Sequence, residues 1–220
     1  MKYLQLLVFF FLTLVLFSCS EKQETTEQAV DELVPTIEAP LAEYNYNPSA
    51  TEVKWTAFKH SKKVPVNGKF DSVVVTGFIP SSKFSESLIG VSMELFTAST
   101  NTNDKARDLK IITSFFGSLL NNVSLKATIL SADGDVSGDG VLIIDMNGVQ
   151  KEQVFAWRVD EYDELFMKTA INVLDWDGEA ALNTLNKVCE AKHTGPEDTE
   201  SILWPDVEVI VISKLDKTAL

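Results

Sequence analysis

From Glu52 onward, apolar and polar residues alternate along the chain. Val53, Trp55 and Ala57 interleave with Glu52, Lys54 and Thr56, and Ile89, Val91, Met93 and Leu95 with Gly90, Ser92 and Glu94. Leu125, Ala127 and Ile129 do the same with Ser124, Lys126 and Thr128, and Phe155, Trp157 and Val159 with Ala156, Arg158 and Asp160. Successive side chains of a strand point to opposite faces, so this period of two predicts strands with one buried and one wet face. Further strand-like runs cover residues 66–77, 139–146, 165–174 and 206–214. Turn signals stand at Gly68, Asp133-Gly134-Asp135, Asn147-Gly148 and Trp204-Pro205-Asp206.

Two segments break the period. Residues 103–120 set Leu109, Ile112, Phe116, Leu119 and Leu120 at helical spacings, with Asn103 placed to cap the start and Asp104 suited to the positive end of the helix dipole. Residues 178–190 set Ala181, Leu182, Leu185, Val188 and Cys189 on one side. The pattern predicts a mainly β fold: an antiparallel barrel of about eight strands with two short helices. Closure hides one face of every strand and removes the sheet edges. A sandwich of two sheets is the alternative. A barrel of this size either fills its interior with side chains or holds one small ligand, and the pattern does not choose between them.

Upstream of the alternation the chain changes character twice. Lys2 precedes a mostly apolar run from Leu4 to Phe17. That run is shorter than the ~20 residues a membrane-spanning helix needs and fits the core of a secretory signal. Leu16-Phe17-Ser18-Cys19 resembles a bacterial lipoprotein box. Residues 1–18 are therefore expected to be a signal peptide and Cys19 the lipidated, palmitate-bearing start of the mature chain. An ordinary secretory signal and a retained anchor helix are the alternatives. Residues 20–50 carry seven acids against the single base Lys22, and Pro35, Pro40 and Pro48 block a long helix. Residues 19–50 thus read as a lipidated cysteine followed by a self-repelling acidic linker, and 51–220 as the folded domain. The expected location is the bacterial cell envelope, lipid-anchored, at the outer membrane on its periplasmic or surface face.

Composition narrows the function. The 220 residues are 45% hydrophobic, and 19 Lys+Arg against 32 Asp+Glu give a net charge of −13. The apolar content excludes a wholly disordered chain. The acidity argues against a nucleic-acid partner, which needs clustered positive charge. Two cysteines exclude a disulfide-built scaffold and a four-cysteine zinc site, and two histidines leave little room for histidine-rich metal or acid–base chemistry. Asp133 to Asp139 imitates the first half of a calcium loop, but Ile144 stands where a bidentate Glu is required, so a hairpin turn is the better reading. Gly138-Asp139-Gly140 lacks the third glycine of a dinucleotide loop, and no phosphate-cradling loop, nucleophile elbow or two-histidine zinc motif occurs. Cys189 and His193 stand four apart with nothing to complete a metal site, and Cys189 reads as a small core residue with a free thiol. Trp176 reads as a packed ring or a rim residue. No metal, cofactor or catalytic residue is expected.

The residues that stand out together resemble the YceI-like domains. Val53-Lys54-Trp55-Thr56-Ala57-Phe58-Lys59-His60 followed by Val66-Asn67-Gly68-Lys69-Phe70 is similar to the family's opening, and Asp139-Gly140-Val141-Leu142 leading to Asn147-Gly148-Val149 to its central hairpin. Arg107-Asp108 with Phe115-Phe116 resembles the helical excursion, and Trp204-Pro205-Asp206-Val207-Glu208-Val209 the final strand. The resemblance covers about residues 50–215. It implies an extended lipocalin-like barrel that binds a long isoprenoid, a quinone or a related lipid without catalysis. The implied lining is Trp55, Met93, Leu95, Leu125, Ile129, Ile143, Phe155, Trp157 and Ile171, with Phe115 and Phe116 near a helix-covered end. Each of these residues could equally pack a solid core. His60, Lys62 and Lys63 are the candidates for an anionic head group, against a plain solvated hairpin. The chain departs from the resemblance by an extra helix and loop at about 176–203, placed to cap the barrel mouth. The alternative function is an envelope or surface protein-interaction module with a filled barrel.

Overall fold

In the computed structural model of the protein, residues 42–219 are described. The expected signal peptide, Cys19 and the acidic stretch through residue 41 lie outside them. The described chain runs through β1 (Ala42–Lys59), β2 (Val64–Phe70), β3 (Val73–Thr76), α1 (Phe84–Leu88), β4 (Ser92–Phe96) and β5 (Thr100–Asn101). It continues with α2 (Lys105–Lys110), β6 (Ser124–Ala132), β7 (Ser137–Met146), β8 (Val149–Val159) and β9 (Glu164–Asn172). The last elements are α3 (Glu179–Val188), α4 (Glu190–His193) and β10 (Leu203–Ala219). Residues 42–50, expected as the end of a linker, belong to β1 and pair with the end of β10, as in Ala42 opposite Ala219 and Tyr44 opposite Lys217.

The strands form one antiparallel sheet in the order β3-β4-β6-β7-β8-β9-β10-β1-β2-β5. Its ten strands exceed the expected eight for two local reasons. The run 66–77 breaks at Asp71 and Ser72: β2 pairs with β1 and β3 with β4, at opposite ends of the ladder. The covalent chain therefore joins the two ends of the sheet and curls it into a barrel. The break is held by Asp71 N–H donating to the Ser99 carbonyl at 3.0 Å and Phe96 N–H donating to the Ser72 carbonyl at 3.2 Å. The second addition is β5, two residues laid against β2.

Both expected helices are present, with shifted details. Asp104, not Asn103, is the cap, and its carboxylate accepts the Ala106 and Arg107 amides at 3.1 Å each. After α2 the helix widens into a π turn at Ile111–Phe115 and tightens into a 3-10 turn at Phe116–Ser118. The extra residue in a π turn rotates the inward face. Leu109 and Leu120, predicted inward by regular spacing, are 61% and 70% exposed, while Ile111, Phe115, Phe116 and Leu119 turn in. The insertion before β10 is two helices, α3 and α4. α1 was not expected.

The barrel interior is divided. At one end α1 drives Phe84 and Leu88 inward, and the Phe84 ring meets Tyr44 at 5.0 Å, Trp157 at 5.5 Å and Phe78 at 6.5 Å. Ile129, Leu165 and Leu215 complete this packed half. The other half is covered by the α2 segment and α3 and is hollow.

Candidate binding cavity

The hollow half is a cavity of about 450 Å³, within the ~300–1,000 Å³ usual for small-ligand sites. Its wall follows from the alternation: every second residue of β1 (Val53, Trp55, Ala57), β6 (Leu125, Ala127), β9 (Met167, Thr169, Ile171) and β10 (Val207, Val209, Val211) faces it. Its roof is Ile111, Phe115 and Phe116 from the α2 segment and Leu182, Leu185 and Cys189 from the insertion. Phe115 and Phe116 stand edge to face with ring centroids 5.2 Å apart, and Phe116 reaches Phe70 at 6.1 Å. Glycines make room for the largest wall rings. Any side chain at Gly68 would overlap the Trp55 indole, and one at Gly140 would overlap the Phe155 ring.

Of the lining residues expected from sequence, Trp55, Met93, Leu95, Phe115, Phe116, Leu125, Phe155 and Ile171 border this cavity. Ile129 and Trp157 do not. Both lie in the packed half, where Trp157 donates its indole N–H to the Asp133 carbonyl at 3.0 Å. Ile143 does not either. In the run Val141-Leu142-Ile143-Ile144 all four residues are apolar, so period two gives no phase. Pairing decides it: Leu142 sits opposite Ile129 and Ile144 opposite Ala127, which puts Ile143 with Thr128 on the outer face. Ile111, Met146, Met167, Leu182 and Leu185 also border the cavity and were not expected. The amphipathic spacing of α3 was the available signal for the two leucines.

The insertion is fastened across this end by the turn between β1 and β2. His60 N–H donates to the Ile202 carbonyl at 3.0 Å, the His60 ring Nε2 meets the Lys192 carbonyl at 3.0 Å, and the Trp204 indole N–H donates to the His60 carbonyl at 2.7 Å. Asp198 accepts from the Ser61 hydroxyl, the Ser61 amide and the Gly195 amide. Those donors, the Ser61 hydroxyl first, hold its carboxyl below the usual carboxylate range. Lys62 pairs with Glu197 at 2.6 Å, and Lys63 pairs with Asp206 at 3.1 Å while lying over the Trp204 ring. His60, Lys62 and Lys63, the expected head-group residues, therefore sit outside the cavity lining: His60 fastens the cap, Lys62 adds an exposed ion pair to it, and Lys63 is bound to β10.

A different set of cations borders the cavity. Lys59, Arg107, Lys110 and Lys192 line it, as do the acid Asp104 and, from the strands, Lys126 and Lys168; Arg107, Lys110 and Lys192 are exposed to solvent, which places the mouth between α2 and α4. Burial lowers the Lys59 pKa, with the charges of Arg107 and Lys192 adding to the effect. His193, on the same rim, is buried and its pKa is pushed down to about 4 by that burial and by Lys59, His60 and Lys110. Asn186 donates its amide to the Ser201 carbonyl at 3.0 Å, which turns its side-chain oxygen toward His193 Nδ1 at 2.9 Å. His193 thus donates from Nδ1 and is a neutral ring at neutral pH.

Other sequence features resolve as structure. Asp133 to Asp139 is the β6–β7 hairpin turn, with Asp133 Oδ1 accepting the Asp139 amide at 2.9 Å. Trp176 is fully buried and donates to the Ile144 carbonyl at 3.1 Å. Cys189 is a buried free thiol. Among the described residues, no cluster of His, Cys, Asp or Glu is arranged to hold a metal.

No protein-family model matches the chain, and no curated protein matches it. Solved structures do. BcnA from Burkholderia cenocepacia superposes with a TM-score of 0.55 at 12% identity, over 80% of this chain and 100% of that one. A polyisoprenoid-binding domain from Saccharophagus degradans, implicated in plant cell wall breakdown, gives 0.52 at 14% identity, over 82% and 99%. A YceI protein from Campylobacter jejuni gives 0.50 at 17%, over 74% and 91%. The domain has the YceI-type fold. In this YceI-type barrel the hollow lies at the end where α3 and α4 sit, so the insertion contributes to the roof of the cavity and to its rim, beside the α2 segment.

Proposed function

We propose that the protein is a non-enzymatic binder of an apolar chain, a polyisoprenoid, quinone or related lipid, taken into the barrel beneath the α2–α3 roof. The observation that carries this reading is the apolar cavity of about 450 Å³. Solid packing would remove such a hollow, because an unfilled core cavity of this kind costs stability. The likeness to a polyisoprenoid-binding domain supports the same ligand class. Each methylene transferred from water contributes roughly 0.8 kcal/mol, and ordering of the chain offsets much of that sum. The hollow ends at a wall of Met93, Met167 and Val211, so the ligand occupies part of the barrel axis. The reading assigns no catalytic group and no cofactor. It includes an envelope location through lipidation of Cys19, which holds the cavity near the membrane that supplies its ligand.

Organic extraction of the purified full chain followed by mass spectrometry tests it. A lipid that co-purifies in stoichiometric amount is expected, and Ala127→Phe, which fills the hollow, is expected to abolish it while leaving the fold intact. Absence of any lipid, together with failure of farnesol and hexadecanol to displace the uncharged dye N-phenyl-1-naphthylamine, would overturn the reading.

A further inference from the structure

Among the described side chains, the cations of this acidic chain fall into three groups: those paired with a carboxylate, those away from the cavity with no carboxylate within ion-pair distance (Lys83, Lys105, Lys151, Arg158, Lys187 and Lys214), and those gathered at its rim. Lys54, Lys62, Lys63, Lys69, Lys126 and Lys168 are each paired with a carboxylate. Lys59, Lys110 and Lys192 border the cavity and, among the described residues, have no carboxylate within ion-pair distance. Arg107 joins them on the rim. Its one carboxylate neighbour, Asp104 at 3.5 Å, is committed to capping α2 through two backbone amides.

Like charges gathered around one opening repel each other and are not a packing solution. Burial is the first cause of the lowered Lys59 pKa, and the charges of Arg107 and Lys192, close enough to act on it, lower it further. The arrangement is also built. Lys59 is held by donating its ammonium to the Lys192 carbonyl at 2.9 Å, so β1 and α4 are tied at the rim. His193, neutral, adds no further charge. Directly inside this ring the lining is apolar: Ile111, Leu182, Leu185 and Val207. One opening therefore presents a charged collar over a greasy interior.

We infer that the cavity selects an amphiphile with a single anionic head, a phosphate or carboxylate on an apolar chain, whose head is received by Lys59, Arg107, Lys110 and Lys192 at the mouth. This rests on the lipid-binding reading and deepens it by naming the head group's charge and its site. An anion here gains charge-assisted hydrogen bonds from lysine and arginine and relieves the repulsion among them. A neutral alcohol of the same chain gains neither.

The test is a matched pair on the full chain, farnesyl monophosphate and farnesol, each competing with N-phenyl-1-naphthylamine. Farnesyl monophosphate should bind at least about tenfold more tightly. Lys110→Gln with Lys192→Gln, both at exposed positions, should remove most of that preference, read as the ratio of the two affinities within the same variant. Lys62→Gln with Lys63→Gln removes the same charge from the neighbouring turn and should leave the preference intact. Inorganic phosphate alone should not displace farnesyl monophosphate at equal concentration. Equal affinity for the pair would overturn the head-group site and leave the cavity reading standing. An unaltered preference in Lys110→Gln with Lys192→Gln would do the same. Displacement by inorganic phosphate would make the collar a free-anion site and overturn the inference. Failure of both farnesyl compounds to bind would bring down the cavity reading and the inference together.

Discussion

His193 shows how one side chain ties stability to pH. Its folded pKa is about 4 against an ordinary 6.5. Between these values the unfolded chain takes up a proton that the folded ring refuses, so falling pH favours unfolding. The stabilisation is complete above pH 6.5 and is lost progressively toward about pH 4. In thermal melts across that window, His193→Gln should show a flatter fall in Tm than the parent, and identical slopes would mean that the ring is not buried neutral. Gly68 is the second case at this scale. An added methyl would press into the Trp55 indole, whose N–H is already buried without a partner. Gly68→Ala should cost about 1–3 kcal/mol, as overpacking does, read as a lower urea midpoint. Neither role was legible in the sequence. Gly68 looked like a turn signal, because its close approach to Trp55 depends on cross-strand register, and His193 stood out only by its spacing from Cys189, because Lys59, His60 and Lys110 reach it from other segments.

Among the elements, strands were far easier to read than helices. Period two survives wherever one face is wet, so β1, β4, β6 and β8 were plain. It failed where four apolar residues ran together in β7 and where Asp71-Ser72 sent one strand to both ends of the sheet. The α2 segment misled because a π turn shifts phase and a regular spacing cannot announce it. The insertion was legible as a helix with an apolar stripe but not as a lid, since its fastening is long-range. Ser61 and Asp198 are far apart in sequence, yet they join the β1–β2 turn to the cap. Asp198→Ala should therefore loosen the cap without unfolding the barrel. Hydrogen exchange is expected to quicken at residues 179–198 while β6, β7 and β8 keep their protection. Uniform quickening across the sheet would show instead that cap and barrel open as one unit.

At the level of the whole molecule, the proposed lipid binding makes the division of the barrel into a packed and a hollow half the feature that sets chain length. Sequence supplied apolar inward residues for both halves and could not tell them apart: Ile129 and Trp157 fill one, Leu125 and Trp55 border the other. The difference comes from α1, which pushes Phe84 and Leu88 into the far end, and nothing comparable fills the capped end. Met93, Met167 and Val211 form the boundary, bordering both the cavity and a residual void of about 20 Å³ in the packed half. Such a void, lined mostly by apolar groups, stays dry, so it is space that a longer ligand could claim if the wall were shortened. Met93→Ala removes a buried side chain and should cost about 2–5 kcal/mol of stability in the empty protein. It should also join the void to the cavity. In a displacement series from geraniol through farnesol to geranylgeraniol, the length bound most tightly is then expected to move upward, with the longer chain recovering part of the lost Tm. If the optimum stays where it is in the parent, the wall is not what stops the chain, and length must be set at the roof by Phe115 and Phe116.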